Sequence, residues 1–128
     1  MKNYENWTPV KASLNSGKRM PSYREGNVYW ASIGENIGFE QDGKGRAYTR
    51  PVLILRGFSA ELVLGLPLSS QKKSGRYFLP IVLNGEDGVL LLSQIRAIDT
   101  LRLGDKIGQV DRQMLKLIKA AVAKMILQ

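Results

Sequence analysis

The chain is 128 residues long, long enough for one domain with its own apolar core and too short for two sizeable ones. It has neither cysteine nor histidine, which excludes disulfides, thiolate metal sites, cysteine nucleophiles and the usual proton shuttle. A formal net charge of +8 makes its surface attractive to polyanions, while 44% hydrophobic and 23% charged residues are ordinary for a globular protein.

The first residues, with Tyr4, Glu5, Asn6 and Trp7 in place of an apolar stretch, do not read as a signal peptide. No apolar run approaches the ~20 residues of a membrane span, so the expectation is a soluble, cytoplasmic protein without membrane contact. Residues 1–22 read as an N-terminal extension. Thr8-Pro9 predicts a helix start, Gly17 its stop, and Val10 and Leu14 a shared face. A polar linker through Lys18, Arg19, Pro21 and Ser22 then leads into the main domain, expected over residues 23–128.

Strand signals begin at Tyr23. Asn27 to Ile33 alternates, with Val28 and Trp30 on one face and Tyr29, Ala31 and Ile33 on the other. A glycine-rich loop follows from Gly34 to Tyr48. Pro51–Leu55, Glu61–Leu68, Arg76–Leu83 and Gly88–Ile95 are the next apolar runs, the last two joined by a turn containing Asn84-Gly85, a strong hairpin signal. Asp99 to Leu103 predicts one helical turn and Lys106 to Val110 a short final strand.

The C-terminal segment predicts a helix capped by Asp111, with Met114, Ile118, Ala121, Val122 and Met125 along one face. Arg112, Lys116 and Lys119 fall on another face, read as solvated. The fold class is mainly β: a small, curled antiparallel barrel with one terminal helix.

The chemistry is bounded by what is missing. Gly38 to Gly45 nearly spells a phosphate-binding loop, but Gly45 replaces the hydroxyl that would hold Mg²⁺. Glu40 and Asp42 would also repel phosphates there, and no helix follows. The acidic pairs Glu40/Asp42 and Glu86/Asp87 have no histidine beside them, so neither a metal site nor any other cofactor is expected. Metal-free, histidine-free chemistry remains. RNA permits it, because the 2′-OH lies beside the scissile phosphorus and needs orientation, charge neutralisation and proton transfer. An arginine and a hydroxyl converging on one phosphate could supply the electrostatic part. Arg50, opening one strand, and Ser69-Ser70-Gln71, closing the next, are candidates; taken alone, Arg50 reads sooner as a strand-edge charge and Ser69 as a turn residue.

Several blocks in chain order resemble the MazF/PemK (Kid) toxins. Arg24-Glu25-Gly26-Asn27-Val28-Tyr29-Trp30 resembles their opening strand. Gly38-Phe39-Glu40-Gln41, Gly43 and Arg50-Pro51-Val52-Leu53 resemble their G-x-E-Q-x-G-x-R-P loop and strand. Leu66-Pro67-Leu68-Ser69-Ser70 is similar to P-[LI]-T-[ST], and Val89 to Asp99 to v-l-l-x-Q-[IV]-R-[TS]-[VIL]-D. Arg102-Leu103, Lys106-Ile107-Gly108 and the terminal helix also fit.

That resemblance implies an SH3-like barrel that forms a homodimer. It implies a metal-independent, ribosome-independent endoribonuclease that cuts single-stranded RNA (mRNA) at short sequences, leaving 2′,3′-cyclic phosphate and 5′-OH ends. It also implies a cognate antitoxin, expected to bring an acidic segment. Residue by residue it places catalytic roles on Arg50, Ser69 and Glu40. Ser69 stands where the family has threonine, keeping the hydroxyl without the methyl that restricts χ1. Phe39, Gln41, Lys44, Arg46, Ser70, Gln71, Lys72, Lys73 and Gln94 are the expected RNA contacts. Glu40 is either the base for the 2′-OH proton or a support for Arg50. Phe39 either stacks on a base or folds onto the barrel. Two alternatives keep the same barrel: a CcdB-like poison of gyrase, and an RNA-binding barrel without activity. The ending Met125-Ile126-Leu127-Gln128 lacks the aromatic tip of the first.

Overall fold

The computed structural model describes residues 23–33 and 49–128. The expected N-terminal helix and the glycine-rich loop lie outside those residues. The strands are β1 (Asn27–Ser32), β2 (Thr49–Gly57), β3 (Leu62–Ser69), β4 (Phe78–Leu83), β5 (Glu86–Leu91), β6 (Arg96–Asp99) and β7 (Leu103–Gln109); helix α1 is Arg112–Leu127. All pairings are antiparallel. The sheet runs β4-β5-β3-β2-β1-β7, with β6 added on β3. β4 and β7 end this path, so among the described residues the curled sheet is barrel-like without being closed by strand pairing.

Strand β3 organises the topology. One edge pairs with β2 along its length. The other is shared: Leu62 to Gly65 pair with β6, and Leu68 and Ser69 with β5. Side chains therefore alternate between two apolar clusters. Val28, Leu53, Leu55, Leu66 and Leu68 face Ile81, Leu83 and Leu90 of the β4–β5 hairpin and Ile118 and Val122 of α1. Tyr29, Ala31, Val52, Ile54, Val63, Ile98 and Leu103 form the second cluster. Burial on both faces explains why β2 reads as an unbroken apolar run, Pro51 to Leu55, with no alternation.

The expected alternation in β1 holds, with Val28 in one cluster and Tyr29, Ala31 and Ile33 at the other. The Asn84-Gly85 turn has φ of 54° and 80°, a left-handed pair that asparagine and glycine tolerate and that matches the strand twist. Its side chain closes the hairpin onto β7, Asn84 Nδ2 donating to the Ile107 carbonyl at 2.9 Å. The fifth expected strand is broken: Leu92–Gln94 is a 3-10 turn, and β6 begins at Arg96. The expected helical turn is a 3-10 turn, Thr100–Arg102, capped by Asp99, whose carboxylate accepts from the Leu101 N–H at 2.8 Å.

Helix α1 starts at its expected cap, Asp111 Oδ1 accepting from the Met114 N–H at 2.7 Å. Its apolar stripe lies on the first cluster, with Ile118 and Val122 buried and Met114, Ala121 and Met125 packed beside them. Lys119 departs from the solvated face expected of it. It donates to Glu25 at 2.7 Å, and Glu25 also accepts from the Gly57 N–H at 3.0 Å. An exposed pair of this kind contributes under ~1 kcal/mol, whereas truncating a buried aliphatic side chain costs about 2–5 kcal/mol. Core packing, not the ion pair, holds α1.

Gly65 sits where strands and cluster crowd together. A Cβ there would lie 2.6 Å from Val52 Cγ1 and 2.9 Å from Ile98 Cδ1. Gly65→Ala should therefore destabilise by about 1–3 kcal/mol, read as a lowered urea midpoint with an unchanged slope. Glu25 gives a pH-dependent counterpart. The Lys119 hydrogen bond, helped by the Gly57 N–H, holds its carboxyl below the usual value. A depressed carboxylate stabilises above its unfolded pKa and loses that contribution as pH falls through its folded value. Glu25→Gln should lower the urea midpoint slightly at pH 7, and the two midpoints should converge as the pH is lowered through the carboxylate range.

Candidate active site at the end of the β2–β3 ladder

The β2–β3 ladder pairs Val52 with Pro67, Leu53 with Leu66 and Ile54 with Gly65. Two residues beyond the last of these pairs, Val52 with Pro67, lie Arg50 on β2 and Ser69 on β3, at the same end of the sheet. Arg50 pairs with Ala31 of β1, and Ser69 pairs with Val89 of β5.

Arg50 is half-buried and Ser69 is 9% exposed. The Ser69 hydroxyl accepts from the Gln71 N–H at 3.1 Å, which fixes its orientation at the strand end. A hydroxyl has one donor and two acceptor sites, so this bond leaves the O–H available to a ligand oxygen. Arg102 acts at the same end of the sheet. Its Nη1 donates to the Ser32 carbonyl at 3.2 Å, and Ser32 pairs with Thr49, the residue before Arg50. The sequence reading did not count Arg102 among the site residues, and no local motif could have shown a bond spanning 70 positions.

The other expected site residues fall into three groups. Glu40, Phe39, Gln41, Lys44 and Arg46 lie outside the described residues; their flanks, Ile33 and Thr49, are at the Arg50 end of β1 and β2. Ser70, Gln71, Lys72 and Lys73 follow Ser69 directly, are exposed, and line one wall of a cleft of about 910 Å³. Gln94 is exposed at the close of a 3-10 turn between β5 and β6, on the edge of β3 away from β2 and Arg50. Arg76, the next cation after Lys73, is turned elsewhere. It donates to Gln128 Oε1 at 2.8 Å and stands 5.3 Å from the Tyr77 ring centroid.

At this end of the sheet Arg50 offers a positive charge and Ser69 an oriented hydroxyl. Arginine stays protonated and supplies charge, so a base must come from elsewhere. The family of PemK-like, MazF-like toxins of type II toxin-antitoxin systems matches residues 24–126. The chain belongs to that family. The match takes in every described strand and nearly all of α1, with Arg50 and Ser69 inside it.

Known members agree. Endoribonuclease EndoA of Bacillus subtilis is 29% identical over 110 residues, which cover 77% of this chain and 90% of the relative. The crystal structure of MazF from Deinococcus radiodurans shares the fold with a TM-score of 0.64 and 18% identity, covering 83% of this chain and 97% of that one. A mycobacterial endoribonuclease solved with its cognate antitoxin gives a TM-score of 0.63 and 18% identity, covering 82% and 95%. This toxin-family fold therefore accounts for the seven strands and α1 together.

Proposed function

We propose that the chain is an endoribonuclease toxin that cleaves single-stranded RNA, mRNA included, without metal, cofactor or ribosome. The observation that carries the reading is that Arg50, near the start of β2, and Ser69, closing β3, lie at the same end of the sheet, two residues beyond the last pair of the β2–β3 ladder. Support comes from the family match and from the Bacillus subtilis relative named as an endoribonuclease.

In the proposed reaction the 2′-oxygen attacks the adjacent phosphorus and the P–O5′ bond breaks. The 2′-OH proton passes to a base and the leaving 5′-oxygen gains one. The products are a 2′,3′-cyclic phosphate and a 5′-OH. Arg50 neutralises charge growing on the phosphoryl oxygens and can donate to the leaving oxygen. Ser69 donates its hydroxyl to a non-bridging oxygen. Glu40 takes the 2′-OH proton or holds Arg50. Phe39, Gln41, Lys44, Arg46, the Ser70 to Lys73 segment and Gln94 contact the flanking nucleotides.

The same reading makes the protein a cytoplasmic homodimer restrained by a cognate antitoxin. Consistent with this, among the described residues no helix is long and apolar enough to cross a membrane.

Long RNA should be cut in EDTA with cyclic phosphate ends, and an all-deoxy strand should stay intact; a strict requirement for Mg²⁺ or Mn²⁺ would overturn the mechanism. Arg50→Ala should lower the single-turnover rate by at least ~10²-fold, as for loss of an oxyanion-hole donor. RNA affinity should fall far less, since one phosphate contact shifts the salt slope by only ~0.7. Ser69→Ala should slow cleavage and Ser69→Thr should retain it. A folded Arg50→Ala variant cutting at the parental rate would show that the active site lies elsewhere.

A further inference from the structure

Strand β7 pairs with β1 only as far as Ala31 opposite Leu103, and Ser32 has no partner on β7. Ser32 is the last residue of β1 and is 3% exposed. It pairs on its β2 side with Thr49, the residue before Arg50. Where the β7 ladder stops, a side chain takes over: Arg102 Nη1 donates to the Ser32 carbonyl at 3.2 Å. A buried carbonyl left without a partner is costly, and a charged donor bonds it more strongly than a neutral one. No carboxylate pairs with Arg102 among the described residues, so this bond does not compete with an ion pair.

The backbone that carries Arg102 is pinned on both sides. Arg102 ends the 3-10 turn Thr100–Arg102, whose start Asp99 caps. Thr100 is 1% exposed, and it donates its N–H to the Glu61 carbonyl at 2.9 Å and its hydroxyl to the Ala60 carbonyl at 2.8 Å. The turn is thereby tied to the β2–β3 connection. On the other side Leu103 is buried in the second cluster and pairs with Ala31, the residue that also pairs with Arg50. The Arg102 side chain itself is half-buried and belongs to neither apolar cluster. Its placement serves a strand end, not the core.

We propose that Arg102 is a positioning residue for Arg50: by holding the Ser32 carbonyl it fixes the end of the β1–β2 ladder that carries Arg50. The proposal deepens the nuclease reading and rests on it for the reaction that Arg50 serves. The path is short, from Arg102 to Ser32, across the ladder to Thr49, and along the chain to Arg50. Untied strand ends open locally while the rest of the sheet stays closed. A displacement of about 1 Å can cost ~10²-fold in rate, so a loosened end is felt in cleavage before it is felt in overall stability.

The test compares the full chain with two variants. Arg102→Met keeps the aliphatic stem and removes the donors; Arg102→Lys keeps a charged donor. On a saturating single-stranded RNA of mixed sequence in EDTA, Arg102→Met should cut at least about tenfold more slowly in a single turnover. Arg102→Lys should recover most of that loss. Affinity is read on the same RNA 2′-O-methylated so that it cannot be cut. It should stay within about threefold of the parent with the salt slope unchanged, whereas loss of a direct phosphate contact lowers that slope by ~0.7. Hydrogen exchange at the Ser32, Thr49 and Arg50 amides should be about tenfold faster in Arg102→Met, with Val63 and Leu64 of the β3–β6 pairing unchanged. A urea curve of parental slope shows that the fold is kept.

A folded Arg102→Met variant cutting at the parental rate would overturn the proposal. So would a salt slope lowered by ~0.7, which marks Arg102 as a phosphate contact, or parental exchange at Thr49 and Arg50. The nuclease reading is separated by the parent chain. If the parent cuts and Arg102→Met cuts equally, only the positioning role fails. If the parent cuts nothing, the nuclease reading fails, and exchange at Thr49 and Arg50 decides by itself whether Arg102 holds the strand end.

Discussion

The fold depends on one register, that of β2 against β3. With Leu53 opposite Leu66, the leucines of both strands enter the cluster beneath α1, while Val52 and Ile54 enter the other. A slip of one residue would send every one of these side chains to the wrong face. Arg50 and Ser69 lie two residues beyond the last pair of this ladder, Val52 with Pro67. The irregularity in this ladder lies between Ile54 and Arg56, toward the Gly57 end, and leaves the pairs from Val52 to Ile54 regular.

Elements with a local cause were legible in the sequence. Alternation marked β1, Asn84-Gly85 marked a left-handed turn, and Asp111 marked the helix start that its carboxylate caps. The misreadings have a physical cause in common. Val89 to Leu92 is continuously buried, so hydrophobicity shows no sign of the turn at Leu92–Gln94, and β6, Arg96–Asp99, fell in the gap between the expected strand and the expected helical turn. Lys119 looked solvated because its partner, Glu25, is 94 positions away. Tertiary partners leave no periodic trace.

The site divides the same way. Its residue types and their order were readable, through the family resemblance, from short blocks such as Arg50-Pro51 and Leu66-Pro67-Leu68-Ser69. That Arg50 and Ser69 lie at the same end of the sheet is a property of pairing and needed the ladder. Arg102, bracing the Ser32 carbonyl beside Thr49, needed the chain's return through β7. The substitution of serine for the family's threonine also looks different in three dimensions. The missing methyl loosens χ1, but the bond from the Gln71 N–H ties the hydroxyl at the strand end. A local turn thus supplies part of the restraint that β-branching would have given.

The proposed chemistry and the proposed substrate choice then fall on parts of the molecule with different rigidity. Arg50 pairs with Ala31 of β1 and Ser69 with Val89 of β5, so each backbone position is held in a ladder. Charge stabilisation needs this fixity, because a donor that must reorganise loses much of its advantage in the transition state. Ser70 to Lys73 follow in an exposed connection, where substitution disturbs neither cluster nor ladder. Loops positioned by a rigid scaffold tolerate such change. Under the proposed function, the RNA sequence preferred can drift through Gln71, Lys72 and Lys73, while Arg50 and Ser69 stay held in ladders against the core residues Ala31 and Val89.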